Sequence, residues 1–341
     1  MEQVQQKKKF NFKEFLIDKG LILVILALIL YIIIREPSFL SLRNVINMLN
    51  QASTKLIMSL GVGGLIILAG TDLSSGRILG LTAAVSTALL QAGDLAQKYF
   101  PNLGELPIIV GFLAAILVGG LFGLLNGFGV AKLKLHAFIA TLGTQLIAYS
   151  LLQAFIAASP WGAQPLTGFK ESYRNFVVGN IQIGSFELPY LVIYAMIACA
   201  VMWVVWNKTV LGKNMYAIGG NKEAAEVSGI NVDKNIMIIF LIAGVMYGIA
   251  GFLEAPRIGN ANIVTGTNYD LDAIAACVIG GVSFSGGIGK ISGIILGTVL
   301  LQVINYGLVY IGVSSYWILF IKGALIIAAV ALDSRKYLQK K

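Results

Sequence analysis

The sequence predicts an all-helical bundle of about ten membrane-crossing segments, with both ends of the chain in the cytoplasm. Three observations carry that expectation. Hydrophobic residues make up 57% of the 341 and charged ones only 12%, with a mean hydropathy of +0.82, whereas an ordinary globular chain is about 25% charged. So little charge cannot cover a water-facing surface. The apolar residues come in blocks of roughly 20, the length a helix needs to cross a bilayer at about 1.5 Å per residue. The 39 glycines exceed the usual share of about 7% and suit helices packed closely in lipid.

Reading from one polar interruption to the next places the segments near residues 20–35, 53–70, 76–92, 106–131, 136–157, 189–206, 236–254, 270–283, 291–312 and 316–332. The eighth is short and the break from Gly70 to Arg77 is weakly polar, so nine spans or a re-entrant piece is the alternative. The first block follows Lys7-Lys8-Lys9 like a signal peptide, but its exit, Arg35-Glu36-Pro37-Ser38, has no small-x-small cleavage site. It reads as a retained helix.

The net charge of +9 does not point to nucleic acid, because the cations sit at the termini and in short gaps between apolar blocks. Cytoplasmic loops are enriched in Lys and Arg. With the N-terminus inside, 17 of the 25 fall in inside segments, seven outside, and Lys322 within the last span. The organisation that follows is a cytoplasmic segment 1–19, a membrane domain 20–332 and a basic cytoplasmic tail 333–341. Two loops are long: 159–189 outside, carrying Trp161, Tyr173 and Phe176 as a surface for an extracytoplasmic partner, and 207–235 inside. A faint internal echo pairs SSGRILGLTAAVSTALLQ (74–91) with FSGGIGKISGIILGTVLLQ (284–302).

Catalytic chemistry is not expected. Cys199 and Cys277 lie in apolar blocks without CxxC spacing, and His136 is the single histidine, which argues against a metal site. SFSGGIGKIS (283–292) imitates a phosphate loop, but that motif needs glycine where Phe284 stands and Ser or Thr where Ile291 stands. It reads as a tight cytoplasmic turn. No cofactor is expected.

The most informative stretch is YAIGGNKEAAEVSGINV, residues 216–232. Asn221 suits an N-cap, Glu223 the first turn and Gly229 the C-terminal stop, which delimits a helix of about two turns. Ala224 and Ala225 leave its backbone approachable, and Glu223 and Glu226 share a face. Such a helix either fits a partner's groove or lies at the membrane surface.

Glu223-Ala224-Ala225 followed by Gly229 resembles the coupling loop of ABC importer permeases. With GTDLSSG (70–76) and YDLDAIAACVIGGVSFSGG (269–287), the chain resembles over nearly its whole length the ribose-type monosaccharide permeases; EAAEVSGINV, INYGLVYIGV (304–313) and ALDSRKY (331–337) add to that likeness. The resemblance implies a permease subunit in the bacterial cytoplasmic membrane, importing galactose, methyl galactoside or a related hexose, with ribose or another monosaccharide as the alternative. It implies as partners a second permease copy, a cytoplasmic ATP-binding subunit with tandem nucleotide domains and an extracytoplasmic sugar-binding protein. Glu223, Ala224, Ala225 and Gly229 then contact the ATPase, and the permease holds its sugar weakly so that release is not hindered.

Candidates for the translocation path are Asp72, Asn126, Gln145, Gln302 and Asn305. Amides both donate to and accept from a sugar hydroxyl, although hydrogen bonds between helices explain them equally. Asp72 either caps the helix beginning near Ser74 or lines the path. Glu254 and Arg257 read as a local pair at the outer mouth. Two other classes fit less well: a secondary sugar carrier needs a chain of buried ion-coupling groups, and a membrane enzyme needs a catalytic cluster.

Overall fold

A computed structural model describes residues 12–184 and 186–338, with side chains over 23–184 and 187–331. The Lys7-Lys8-Lys9 run and the end of the basic tail at Lys340 and Lys341 lie outside the described residues.

Each of the ten apolar segments is helical. In chain order the elements are α1 (Phe12–Arg35), a short turn of 3-10 helix (Pro37–Leu40), α2 (Leu42–Ile67), α3 (Ser75–Leu89), α4 (Ile108–Ala131) and α5 (Ala137–Ala157). Then come α6 (Glu171–Val178), the hairpin β1 (Asn180–Ile183) and β2 (Phe186–Pro189), α7 (Tyr190–Lys208), α8 (Val210–Gly220) and α9 (Lys222–Val227). The chain closes with α10 (Val232–Ile258), α11 (Tyr269–Ile279), α12 (Ile291–Tyr310) and α13 (Ser315–Leu338). Among the described residues five helices, α4, α5, α7, α10 and α12, are long and apolar enough to cross a membrane.

The departures from the sequence expectation have physical causes. Helix α2 begins at Leu42, well ahead of residue 53, because its polar first half finds partners on other elements. Tyr306 Oη and Asn44 Oδ1 are 3.0 Å apart, and Gln302 Nε2 donates to Gln51 Oε1 at 2.9 Å. Hydropathy cannot see a partner distant in sequence. Helix α11, 11 residues long, rises only about 16 Å and cannot cross alone. The chain before it returns into the bundle: Leu166 pairs with Ala261 in an isolated bridge, and the Thr265 and Gly266 carbonyls then lie against Gly80 and Gly76 of α3. Arg77, expected in a cytoplasmic loop, stands instead in the first turn of α3. The echoing stretches also differ, since residues 75–77 are helical where their counterparts near 286–288 form a turn.

Glycine sets the closest helix packing. A Cβ on Gly119 or Gly123 of α4 would lie 2.2 or 2.3 Å from the Gly244 or Phe240 carbonyl oxygen of α10, and one on Gly244 would lie 2.2 Å from the Gly119 oxygen. The two backbones therefore touch, as small residues allow within a bilayer. Helices α2, α3 and α10 form the buried centre; Leu117, Leu121, Leu146, Ile147 and Trp203 on the peripheral helices point outward.

The long 159–189 loop is ordered into α6 and the hairpin, in which Asn180 faces Pro189 and Ile183 faces Phe186. It shares hydrogen bonds with the 90–107 connection, where Gln91 accepts from the Tyr99 amide at 2.7 Å and donates to the Thr167 carbonyl at 2.9 Å. The ammonium of Lys170, 2.9 Å from Glu105, holds that carboxyl below its usual range.

Candidate functional site: a capped surface helix and the polar interior

Residues 207–235 hold two whole helices, the expected α9 and also α8, between the end of α7 and the start of α10. Thr209 caps α8 by accepting from the Gly212 amide at 3.2 Å, Asn221 caps α9 by accepting from Ala224 at 2.9 Å, and Asn231 caps α10 by accepting from Lys234 at 3.0 Å. Each cap satisfies an amide that the helix start leaves unpaired. Gly229 adopts φ +83° and ends α9 as the sequence suggested, a conformation glycine enters without a Cβ penalty. Glu223, Ala224 and Glu226 are exposed, but Ala225 turns inward against the chain itself. Of the two alanines, only Ala224 is presented outward. Val227, which the sequence pattern does not single out, is 91% exposed, the most exposed large apolar side chain among the described residues.

This helix pair is keyed to the bundle by backbone contact. A Cβ on Gly219 would fall 1.7 Å from the Ile67 carbonyl oxygen and 2.7 Å from the Gly287 nitrogen, and Gly287 N–H donates to that same Ile67 oxygen at 2.8 Å. The end of α8, the end of α2 and the turn between α11 and α12 therefore meet at one point. Gly286 and Gly287, at φ +82° and +70°, make the tight turn expected of the false phosphate loop. Beside α9 opens a cavity of about 470 Å³, lined by Lys134, His136, Gly219, Asn221 and Lys222 among others.

The structure brings two of the path candidates together. Asp72 Oδ1 accepts from the Ser74 amide at 2.8 Å and from its hydroxyl at 2.5 Å. Asn126 Nδ2 donates to the Ser74 oxygen at 2.9 Å, and Thr144 donates to Asn126 Oδ1 at 2.6 Å. This buried chain joins α3, α4 and α5, with Asp72 hydrogen-bonded at the start of α3. Gln302 and Asn305 lie elsewhere, on α12 against α2; both oxygen and nitrogen of the Asn305 amide are buried without a partner among the described residues. Gln145 is half-buried on α5.

The Glu254–Arg257 pair expected from the sequence forms, and it is part of a wider network. Arg257 donates to both Glu254 oxygens at 2.6 and 2.7 Å, and Thr54 and Tyr269 each donate to the same carboxylate at 2.6 Å. Lys55, the residue after Thr54, lies 5.1 Å from the Tyr269 ring centre and donates to Asp272 at 2.9 Å, which Lys322 approaches at 2.7 Å. The network ties α2, α10, α11 and α13 together. An ionisable group inside an apolar span signals a purpose, so Lys322 was the available clue; its partners were not legible.

An apolar helical bundle with ions paired inside it and a short capped polar helix at one end is the architecture of an integral membrane protein. The chain belongs to the family described as branched-chain amino acid transport system / permease component, whose model matches residues 44–330. It is 50% identical over 336 residues to the galactose/methyl galactoside import permease protein MglC of Escherichia coli (strain K12), covering 98% of each chain. It is 48% identical over 341 residues to the protein of the same name from Haemophilus influenzae, covering both chains fully, and 34% identical over 335 residues to the ribose import permease protein RbsC of Escherichia coli (strain K12), covering 98% and 99%. No solved structure matches the chain.

Proposed function

We propose that the chain is the transmembrane permease subunit of an ABC importer that carries galactose or methyl galactoside across the bacterial cytoplasmic membrane. The family supports a transport role, and the identity to galactose/methyl galactoside permeases, well above that to the ribose permease, favours the hexose. Two copies form the passage, a secreted sugar-binding protein delivers the substrate, and a cytoplasmic ATPase drives the alternation of states. In this reading the chain crosses the membrane about ten times with both termini inside, α3 and α11 being completed by the irregular segments before them, and the membrane domain runs over residues 20–332.

One observation carries the coupling. Helix α9 is delimited by its own caps and presents Glu223, Ala224, Glu226 and Val227 to water, while α8 before it is keyed through Gly219 to Ile67 and Gly287. A partner gripping α9 thereby acts on the ends of α2, α11 and α12. ATP binding favours one permease conformation only through such a differential contact. Ala225 and Gly229 hold α9 in the orientation that the contact needs. Asp72, Asn126, Gln145, Gln302 and Asn305 supply polar groups in the interior, and weak sugar binding there permits release.

The test is uptake of labelled methyl galactoside by proteoliposomes containing the permease, its ATPase and its binding protein. ATP-dependent accumulation that excess galactose abolishes and ribose does not is the expected result. Uptake driven by an ion gradient without ATP would overturn the importer reading in favour of a secondary carrier.

A further inference from the structure

Arg77 is a cation at the depth of the bilayer with no ion pair among the described residues. Its guanidinium carbon lies 4.1 Å from the ring centre of Tyr149. Tyr149 stands about 12 Å from the nearer end of α5 at roughly 1.5 Å per residue, and α5 is long and apolar enough to span a membrane. Only Nη1 is engaged, donating to the Ile263 carbonyl at 3.3 Å and to Thr267 Oγ1 at 3.0 Å. The other edge of the planar fork has no hydrogen-bond partner among the described residues, and the side chain is only half-buried. An arginine at this depth is costly against lipid, so its open side faces water or another polar surface.

The neighbouring groups are polar too. Gln145, Tyr149 and Gln153 recur at four-residue spacing on one face of α5, the first two half-buried and the third exposed, and Thr267 of the returning segment reaches Arg77. Across the first turn of α3, a Cβ on Gly76 would lie 3.3 Å from Asp270 Oδ1, and that carboxylate accepts from the backbone at Asp270 and Leu271 but from no side chain among the described residues. A guanidinium fork, an amide that both donates and accepts, and an acceptor carboxylate supply the groups that recognise a polyhydroxylated neutral molecule.

We propose that Arg77, supported by Gln145 and Asp270, contacts the hydroxyls of the transported monosaccharide, so that the permease itself discriminates among sugars. This inference rests on the importer reading above. It adds a selective contact to a protein whose partner performs the capture.

The test compares transport of galactose with a series of galactose analogues each lacking one hydroxyl, in proteoliposomes of the full complex. The same binding protein serves every permease variant, so its own preference cancels when variant and wild type are compared. Arg77→Met is expected to lower galactose transport and to shrink the preference over at least one analogue by about tenfold, since a site built to bond a hydroxyl rejects the molecule lacking it. Arg77→Lys retains part of that preference. Gln145→Leu, which removes no hydrogen bond among the described residues, shifts the ratio in the same direction and decides the matter if Arg77→Met fails to accumulate. Unchanged ratios, or equal loss for every sugar, overturn the inference while leaving the importer reading intact. So does loss of the permease dimer with unchanged ratios, which would assign this face to the contact between copies. Absence of galactose uptake by the wild type overturns the importer reading itself and this inference with it.

Discussion

Ala225 and Val227 lie two residues apart on α9 and face opposite ways, the first 4% exposed and the second 91%. One side chain seats the helix on its own chain; the other is offered to a partner.

That opposition separates two kinds of variant. Val227→Asp and Glu223→Lys change only groups in water, so the permease should accumulate normally, yet recovery of the ATPase on tagged permease and uptake should both fall by about tenfold or more, as for an interface anchor. Ala225→Trp should instead lower permease accumulation, because the ring has no room under α9. Normal ATPase recovery and uptake in both surface variants would remove α9 from the coupling contact.

Backbone contact between α4 and α10 sets a stability test. A methyl on Gly244 meets the Gly119 carbonyl oxygen at 2.2 Å, whereas one on Gly143 of α5 meets nothing within 4 Å. Gly244→Ala should cost about 1–3 kcal/mol, the range for forcing atoms into a filled interior, seen as a lower apparent Tm in detergent. Gly143→Ala should leave Tm unchanged or slightly raised. Equal effects at the two positions would contradict the packing argument.

The ten apolar segments were legible as helices because each is a run of apolar residues that registers without any partner. The α9 boundaries were legible for the same reason, since Asn221 and Gly229 act on adjacent backbone. What escaped depends on residues distant in the chain. The polar first half of α2 is helical because Asn44 and Gln51 meet Tyr306 and Gln302; Lys55 and Lys322 are tolerated because both reach Asp272. Helix α8 was hidden by its glycines, which look like breakers until Gly212 and Gly219 are found against the Trp206 and Ile67 carbonyls. Val227 was overlooked because periodicity alone does not say which side of a six-residue helix is covered.

The Lys55–Asp272–Lys322 triad makes an asymmetric prediction. Asp272→Asn leaves two nearly buried ammonium groups without a counter-charge and should destabilise by about 3–5 kcal/mol, as for breaking a buried pair. Lys322→Met leaves Asp272 paired with Lys55 and should cost much less. Combining Lys322→Met with Asp272→Asn should recover part of the loss. Accumulated permease and apparent Tm read all three, and a double variant no better than Asp272→Asn alone would show that the two lysines do not share the carboxylate.

Orientation is set by the cations and tested at two exposed positions. In the proposed topology the 17 to seven excess of Lys and Arg read from the sequence, 16 to seven once Arg77 is assigned to α3, predicts α9 inside and the β1–β2 hairpin outside. Gln182 lies on β1, whose four residues are all exposed, and Lys222 opens α9, also exposed. Native Cys199 and Cys277 are buried, so Cys199→Ala and Cys277→Ser give a silent background. A membrane-impermeant thiol reagent applied to intact spheroplasts should label Gln182→Cys fully and Lys222→Cys only after lysis. Because positive charge resists translocation whatever the fold around it, the reverse pattern would require the bundle to be turned over. It would also move α9 away from any cytoplasmic ATPase, so a single pair of cysteines tests the topology and the geometric basis of coupling together.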